Sequence, residues 1–249
     1  MGRARRRRGG HPRRDLVKRE PVPVPPADLL PVGPRATAAF RFVRLWAQPL
    51  LNLIFSIQVE GREHIPRQGN FIIIANHLAW LDPFLILASF KTEPRVHFLG
   101  DTTILRTHKL QWWMVRAVGG YVPVDKLRHG DVKLFEHVDR CLQRGGVVAL
   151  FPEGTTDGAQ EGHLLPFKKG FAHWAIDNNV PVVPVALSGT KDVWLRKRVQ
   201  VVIGASLQPA GESVDTLVTL AEQRLAALLP PYVEPMGAKP LRAWLTHLF

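Results

Sequence analysis

Hydrophobic runs and polar breaks alternate along most of this chain, and the period of the pattern changes from segment to segment. The run FIIIAN, residues 71 to 76, is continuous and β-branched, which predicts a strand buried on both faces. FLILASF after Asp82-Pro83 reads as helix, RVHFLG as strand, LQWWMVRAVGG as helix and YVPVD as a short strand. GDVKLFEHVDRCLQRGG predicts a helix that ends at Gly145-Gly146. The strand VVALF follows at 147 to 151, then a long loop rich in turn residues, PEGTTDGAQEGHLLPF. The helix KKGFAHWAIDNN, the strands VPVVPVAL and VQVVIG, and the helix ESVDTLVTLAEQRLAALL complete the series. Strands alternating with helices predict one α/β domain: a mixed, mostly parallel sheet covered by helices.

Two flanking regions follow other patterns. Residues 1 to 34 join an Arg-rich run to a Pro-rich run, and neither can bury enough apolar surface to offset the entropy of ordering. A disordered basic tail is expected there. Residues 35 to 57, RATAAFRFVRLWAQPLLNLIFSI, read as an amphipathic helical segment, divisible at Pro49. Phe40, Val43, Trp46 and Ala47 follow helical spacing, with Arg41 and Arg44 on another face. Such a segment suits a membrane interface or a buried first helix. The catalytic domain is expected over 58 to 229. A tail follows at 230 to 249, where LRAWLTHLF has the pattern of a terminal amphipathic helix.

Charge adds to this picture at one end. The formal net charge is +12, and residues 1 to 20 hold nine Lys/Arg against Asp15 and Glu20. Most of the surplus therefore sits in the tail. An electrostatic anchor for anionic lipid suits it, at about 1 kcal/mol per basic residue near a bilayer. A nucleic-acid arm rests on the same charge, and nothing else in the chain supports that partner. The single cysteine, Cys141, excludes an intramolecular disulfide and lies in a helical pattern as a small core side chain. No apolar run reaches the roughly 18 to 20 residues of a spanning helix, so a soluble or peripheral protein is expected in place of an integral one.

The chemistry starts at NHLAWLDP, residues 76 to 83, where a histidine and an aspartate sit between two apolar runs. On one helix the five-residue offset would set His77 and Asp82 about 140° apart. They can meet if His77 lies in the turn after the strand and Asp82 begins the helix. Asp82 before Pro83 also suits an N-cap. A second turn, FPEGTT at 151 to 156, places Glu153, Gly154, Thr155 and Thr156 just after a strand. Its N–H groups and hydroxyls suit an anion. Lys168 and Lys169 lie at a helix start, where the dipole also favours anions. Lys126 follows the strand YVPV.

Taken together, these blocks resemble the glycerolipid acyltransferase family, whose type member acylates 1-acylglycerol-3-phosphate. NHLAWLDP matches that family's Asn-His-x4-Asp block, and GGYVPVDK (119 to 126) resembles its second block, with Lys126 where an arginine is usual. FPEGTT matches the third block and VPVVPVAL (180 to 187) resembles the fourth. The resemblance covers roughly residues 58 to 205. It implies acyl transfer from acyl-CoA or acyl-carrier protein to a lysophospholipid, by default lysophosphatidate, with neither cofactor nor metal. His77 would act as general base and Asp82 as its partner. Glu153, Gly154, Thr155, Thr156, Lys126, Lys168 and Lys169 would bind the acceptor. The Thr-Thr-Asp-Gly form of the third block also resembles members that acylate lyso-ornithine lipids. Glycerol-3-phosphate is a further acceptor of the family, and a non-catalytic lipid-binding relative would share the fold. No Gly-x-Ser-x-Gly elbow occurs, against a serine lipase.

Overall fold

A computed structural model describes residues 33–101, 120–124 and 132–247. The expected helix LQWWMVRAVGG, the basic tail apart from its last two residues, and Lys126 lie outside them. Seven strands form one sheet: β1 (Ser56–Glu60), β2 (Ile72–Ala75), β3 (Val96–Asp101), β4 (Tyr121–Val124), β5 (Val147–Leu150), β6 (Val182–Ser188) and β7 (Arg198–Ile203). Their order is β1-β7-β6-β2-β5-β3-β4. The five strands from β6 to β4 run parallel, whereas β7 pairs antiparallel with β6 and carries β1 parallel to itself. The sheet is thus mixed and mostly parallel, as its patterning predicts.

The pleat sorts the core into two faces, since side chains of adjacent strand residues point oppositely. Ile73, Ala75, Val147, Ala149, Val183 and Val185 face one side with α1 (Ala38–Ile54) and α2 (Asp82–Ser89). Ile72, Ile74, Val148 and Val182 face the other, against α3 (Val132–Gln143), α4 (Gly170–Asp177) and α5 (Val214–Leu228). Burial of both faces explains why β2 reads as an unbroken apolar run. Cys141 is fully buried in the second layer. Desolvation pushes its thiol up to about 12, so it is inert as a nucleophile.

Three expectations for residues 35 to 57 change. The first helix ends at Ile54, and the residues just beyond it start an unpredicted strand, β1. SIQVE lies on a sheet edge and is only partly buried, so it lacks the apolar run that marks the central strands. Pro49 lies within one continuous helix and does not divide it. The common face expected for Phe40, Val43 and Trp46 is split. Phe40 is buried, while Trp46 is 63% exposed. Arg44 turns inward and donates to the carbonyls of Leu87 and Phe90, closing the C-terminal end of α2.

The C-terminal segment holds the terminal helix that the pattern of LRAWLTHLF predicts, and that helix is docked. The short helix α6 (Arg242–Thr246) docks on the first core face through Leu245, which is 2% exposed. Thr246 Oγ1 accepts from the Val193 N–H at 3.0 Å and donates to the Val193 carbonyl at 3.1 Å. Trp80 Nε1 donates to the Leu245 carbonyl at 3.0 Å, joining this segment to the turn that carries His77. An amphipathic pattern alone does not reveal such docking, because the anchoring contacts come from distant loops.

The turn after β1 shows how tightly the edge is closed. Gly61 adopts φ +76°, and a Cβ there would lie 2.0 Å from the carbonyl oxygen of Ile203. Gly61→Ala is expected to lower unfolding free energy by about 2–3 kcal/mol, as backbone strain and the displaced carbonyl combine. Urea denaturation of the two proteins measures this.

Candidate active site

The parallel strands β2, β5 and β6 end on one edge of the sheet, where sites of open α/β sheets collect. The chain leaving β2 is held first by Asn76, which is 1% exposed. Its side-chain amide donates to the Leu187 carbonyl at 2.9 Å, and its side-chain oxygen accepts from the Leu187 N–H at 2.7 Å. Asn76 thus extends the β2–β6 ladder with its side chain and frees its backbone to turn. His77 is the next residue.

The turn returns to Asp82, the first residue of α2. Oδ2 of Asp82 lies 2.8 Å from His77 Nδ1. The same oxygen accepts from the N–H groups of Leu78 at 2.6 Å and Ala79 at 2.8 Å. Asp82 is therefore not the N-cap of its helix; Leu81 holds that position. The reason is directional, since the Cα–Cβ bond of a helical residue tilts toward the N-terminus. From the first helical position the carboxylate reaches back to the preceding turn. It is fully buried, and its second oxygen has no partner among the described residues.

The His77 ring is held in a second way. It stacks on Phe151, with centroids 4.0 Å apart and planes inclined by 13°. Phe151 follows β5, so two strand ends clamp the imidazole between a carboxylate and an aromatic face. The side chain of His77 remains 23% exposed. With Nδ1 donating to Asp82, Nε2 has no partner among the described residues and can take up a proton.

Glu153 lies beside this pair and is 5% exposed. Desolvation raises its carboxyl to about 7, with Asp82 adding a smaller push upward and the backbone N–H groups of His77 and Leu165 partly offsetting both. Two acids next to one histidine thus have different environments. Gly154 turns the chain at φ +70°, and Lys168 packs over it so closely that a Cβ there would sit 2.4 Å from Nζ. The Lys168 N–H donates to the Pro152 carbonyl at 2.9 Å. The ammonium of Lys168 therefore reaches the Glu153-Gly154 turn.

The other expected site residues are less direct. Lys169 pairs with Asp215 Oδ1 at 2.5 Å, both exposed, at the start of α5. The sequence places the two lysines together, but adjacent residues at a helix start point in different directions. Thr155 Oγ1 accepts from the Asp157 N–H at 3.0 Å, and the Thr156 carbonyl accepts from Ala159 at 3.2 Å. Both shape the turn. Glu161, which no local pattern marks, secures the long loop. Its carboxylate accepts from the N–H groups of Gly189 at 2.9 Å and Lys191 at 3.0 Å, just past β6.

A family model described as Acyltransferase matches residues 56–188, more than half of the chain. The chain belongs to the acyltransferase family. The matched region holds the His77 turn and the Glu153 turn, and it agrees with the resemblance of the four sequence blocks. Among curated acyltransferases, the 1-acyl-sn-glycerol-3-phosphate acyltransferase alpha of Ovis aries is 27% identical over 191 residues, covering 72% of this chain and 63% of the relative. The chloroplastic 1-acyl-sn-glycerol-3-phosphate acyltransferase BAT2 of Brassica napus is 30% identical over 149 residues, covering 59% and 41%. The chain thus spans less than two thirds of the length of these curated relatives. The crystal structure of the 1-acyl-sn-glycerophosphate acyltransferase PlsC from Thermotoga maritima superposes with a TM-score of 0.63 at 25% identity, covering 78% of this chain and 81% of that one.

The raised Glu153 has a consequence for stability. Its folded value of about 7 exceeds the ordinary 4.5, so the folded state binds the proton more tightly than the unfolded chain. Between those two values the unfolded chain ionises first, and stability falls as pH rises; above about 7 the loss is complete. Glu153→Gln removes this titration. Its stability relative to wild type is expected to rise by of order 3 kcal/mol between pH 4.5 and 7.5, read from urea unfolding at several pH values.

Proposed function

We propose that this protein transfers a fatty acyl group from an acyl thioester to the free hydroxyl of a lysophospholipid. The preferred acceptor is 1-acyl-sn-glycerol-3-phosphate, giving phosphatidic acid. The observation that carries this reading is the hydrogen bond from His77 Nδ1 to the buried Asp82, which leaves Nε2 available beside the Glu153-Gly154 turn. The names of the similar enzymes support the acceptor.

His77 Nε2 takes the proton of the acceptor hydroxyl as its oxygen attacks the thioester carbonyl. Asp82 keeps the imidazole in the tautomer with Nδ1 protonated and stabilises the imidazolium that forms, as in a Ser-His-Asp arrangement whose hydroxyl comes from the substrate. As the tetrahedral intermediate collapses, the C–S bond breaks and the imidazolium proton passes to the departing sulfur. The products are an ester and a thiol, with no acyl-enzyme. Lys168, packed over Gly154, is a cation placed at the turn for an acceptor phosphate, and Lys126 is a second candidate from its block. Acyl-CoA or acyl-carrier protein supplies the thioester.

Such a reaction takes place at a lipid surface. Among the described residues no helix is long and apolar enough to cross a membrane. Helix α1 instead exposes Phe42, Trp46, Leu50 and Leu53. At 100° per residue these form one stripe, opposite the face that packs on the core. We read α1 as lying in an anionic bilayer interface at the cytoplasmic face.

Thiol release and product mass test the reaction. With a panel of lysophosphatidate, lyso-ornithine lipid and glycerol-3-phosphate, the product from lysophosphatidate is expected to dominate. His77→Ala is expected to lower its rate at least about 100-fold. Activity within a few fold of wild type would remove His77 as the base.

A further inference from the structure

The stripe on α1 is not the end of the exposed apolar surface. Arg196 N–H donates to the carbonyl of Ile54, the last residue of α1, and its guanidinium donates to the carbonyls of Asn52 at 3.0 Å and Leu53 at 3.4 Å. The next residue back, Leu195, donates its N–H to the Pro240 carbonyl at 3.0 Å and exposes its side chain. Pro240 leads into Leu241 and Trp244, which are 55% and 60% exposed. Three segments distant in sequence are therefore stitched edge to edge by backbone hydrogen bonds, and each presents large apolar side chains outward.

We propose that Leu195, Leu241 and Trp244 form a second bilayer contact beside α1, with an anionic membrane surface as the partner. This rests on the interfacial reading of α1 and adds a C-terminal contact to it.

Charge selects this partner. Residues 38–54, 191–198 and 239–247 carry eight Lys/Arg. Arg44 turns inward and Lys197 is buried, and Arg41, Lys239 and Arg242 pair with Glu93, Glu234 and Asp192. Lys191, Arg196 and Arg198 are exposed with no acidic partner among the described residues, and these cations beside exposed Leu and Trp fit anionic headgroups above an apolar layer. A tryptophan has the amphipathic ring that lies at that boundary.

The contact also reaches the site. Next to Trp244 in α6, Leu245 is buried, and its carbonyl accepts from Trp80 Nε1. Trp80 lies in the turn between His77 and Asp82 and packs edge-on against Phe84, which is itself 39% exposed. Seating α6 on a bilayer would hold the His77 turn toward the lipid that supplies the acceptor.

The test uses the full chain and sucrose-loaded vesicles of phosphatidylcholine with phosphatidylglycerol. Leu241→Ser/Trp244→Ser is expected to lower the partition coefficient by about tenfold or more, with an unchanged thermal midpoint, while Trp244→Phe retains most of the binding. The ratio of activity on vesicle-embedded lysolipid to activity on detergent-dispersed lysolipid is expected to fall in parallel. Equal vesicle binding by wild type and the double variant would overturn the C-terminal contact and leave α1 as the anchor. Absence of vesicle binding by wild type would overturn the interfacial reading itself. Sedimentation equilibrium covers the remaining occupant. A dimer that the double variant dissociates, with vesicle binding intact, would assign this face to a second copy and also overturn the proposal.

Discussion

Oδ2 of Asp82, shut off from solvent, accepts from His77 Nδ1 and from the N–H groups of Leu78 and Ala79. A buried carboxylate without such partners would be costly. The three donors stabilise its charge, and in doing so they fix the turn from which the histidine projects. Structural and chemical roles meet in one oxygen atom. The turn forms because the carboxylate needs the donors, and the imidazole is oriented because it is one of them.

The sheet supplies the rest of the constraint. Parallel pairing of β2 with both β5 and β6 brings three strand ends together. Asn76 ties the exit of β2 to Leu187 on one side, and Phe151 stacks on His77 from the other. Glu153 follows two residues later, in an environment that keeps its proton to about pH 7. Two side chains with nearly the same intrinsic chemistry thus meet different surroundings, Asp82 held by three donors and Glu153 desolvated beside it. Lys168 then brings a positive charge over Gly154, whose missing side chain is what allows the approach.

Much of this was legible in the sequence, for physical reasons that differ from residue to residue. The central strands were visible because burial on both faces demands unbroken apolar runs. The spacing left the meeting of His77 and Asp82 open, since it forbids contact on one helix and allows it across a turn. β1 was hidden because an edge strand with half-exposed residues has no such run. The role of Asp82 as a back-reaching acceptor, in place of an N-cap, depends on side-chain direction that composition does not carry. The separation of Lys168 from Lys169 depends on Asp215, 46 residues away. The docking of α6 and the anchoring by Glu161 likewise rest on contacts between distant segments.

The account stands or falls on the state of one imidazole. Long-range proton–nitrogen correlation of protein labelled with nitrogen-15 at histidine reports which ring nitrogen of His77 carries the proton in the neutral form. Protonated Nδ1 with a bare Nε2 is predicted, with that preference weakened in Asp82→Asn. Protonated Nε2 as the main form in the wild-type protein would contradict the account, because the nitrogen assigned to receive the acceptor's proton would already hold one.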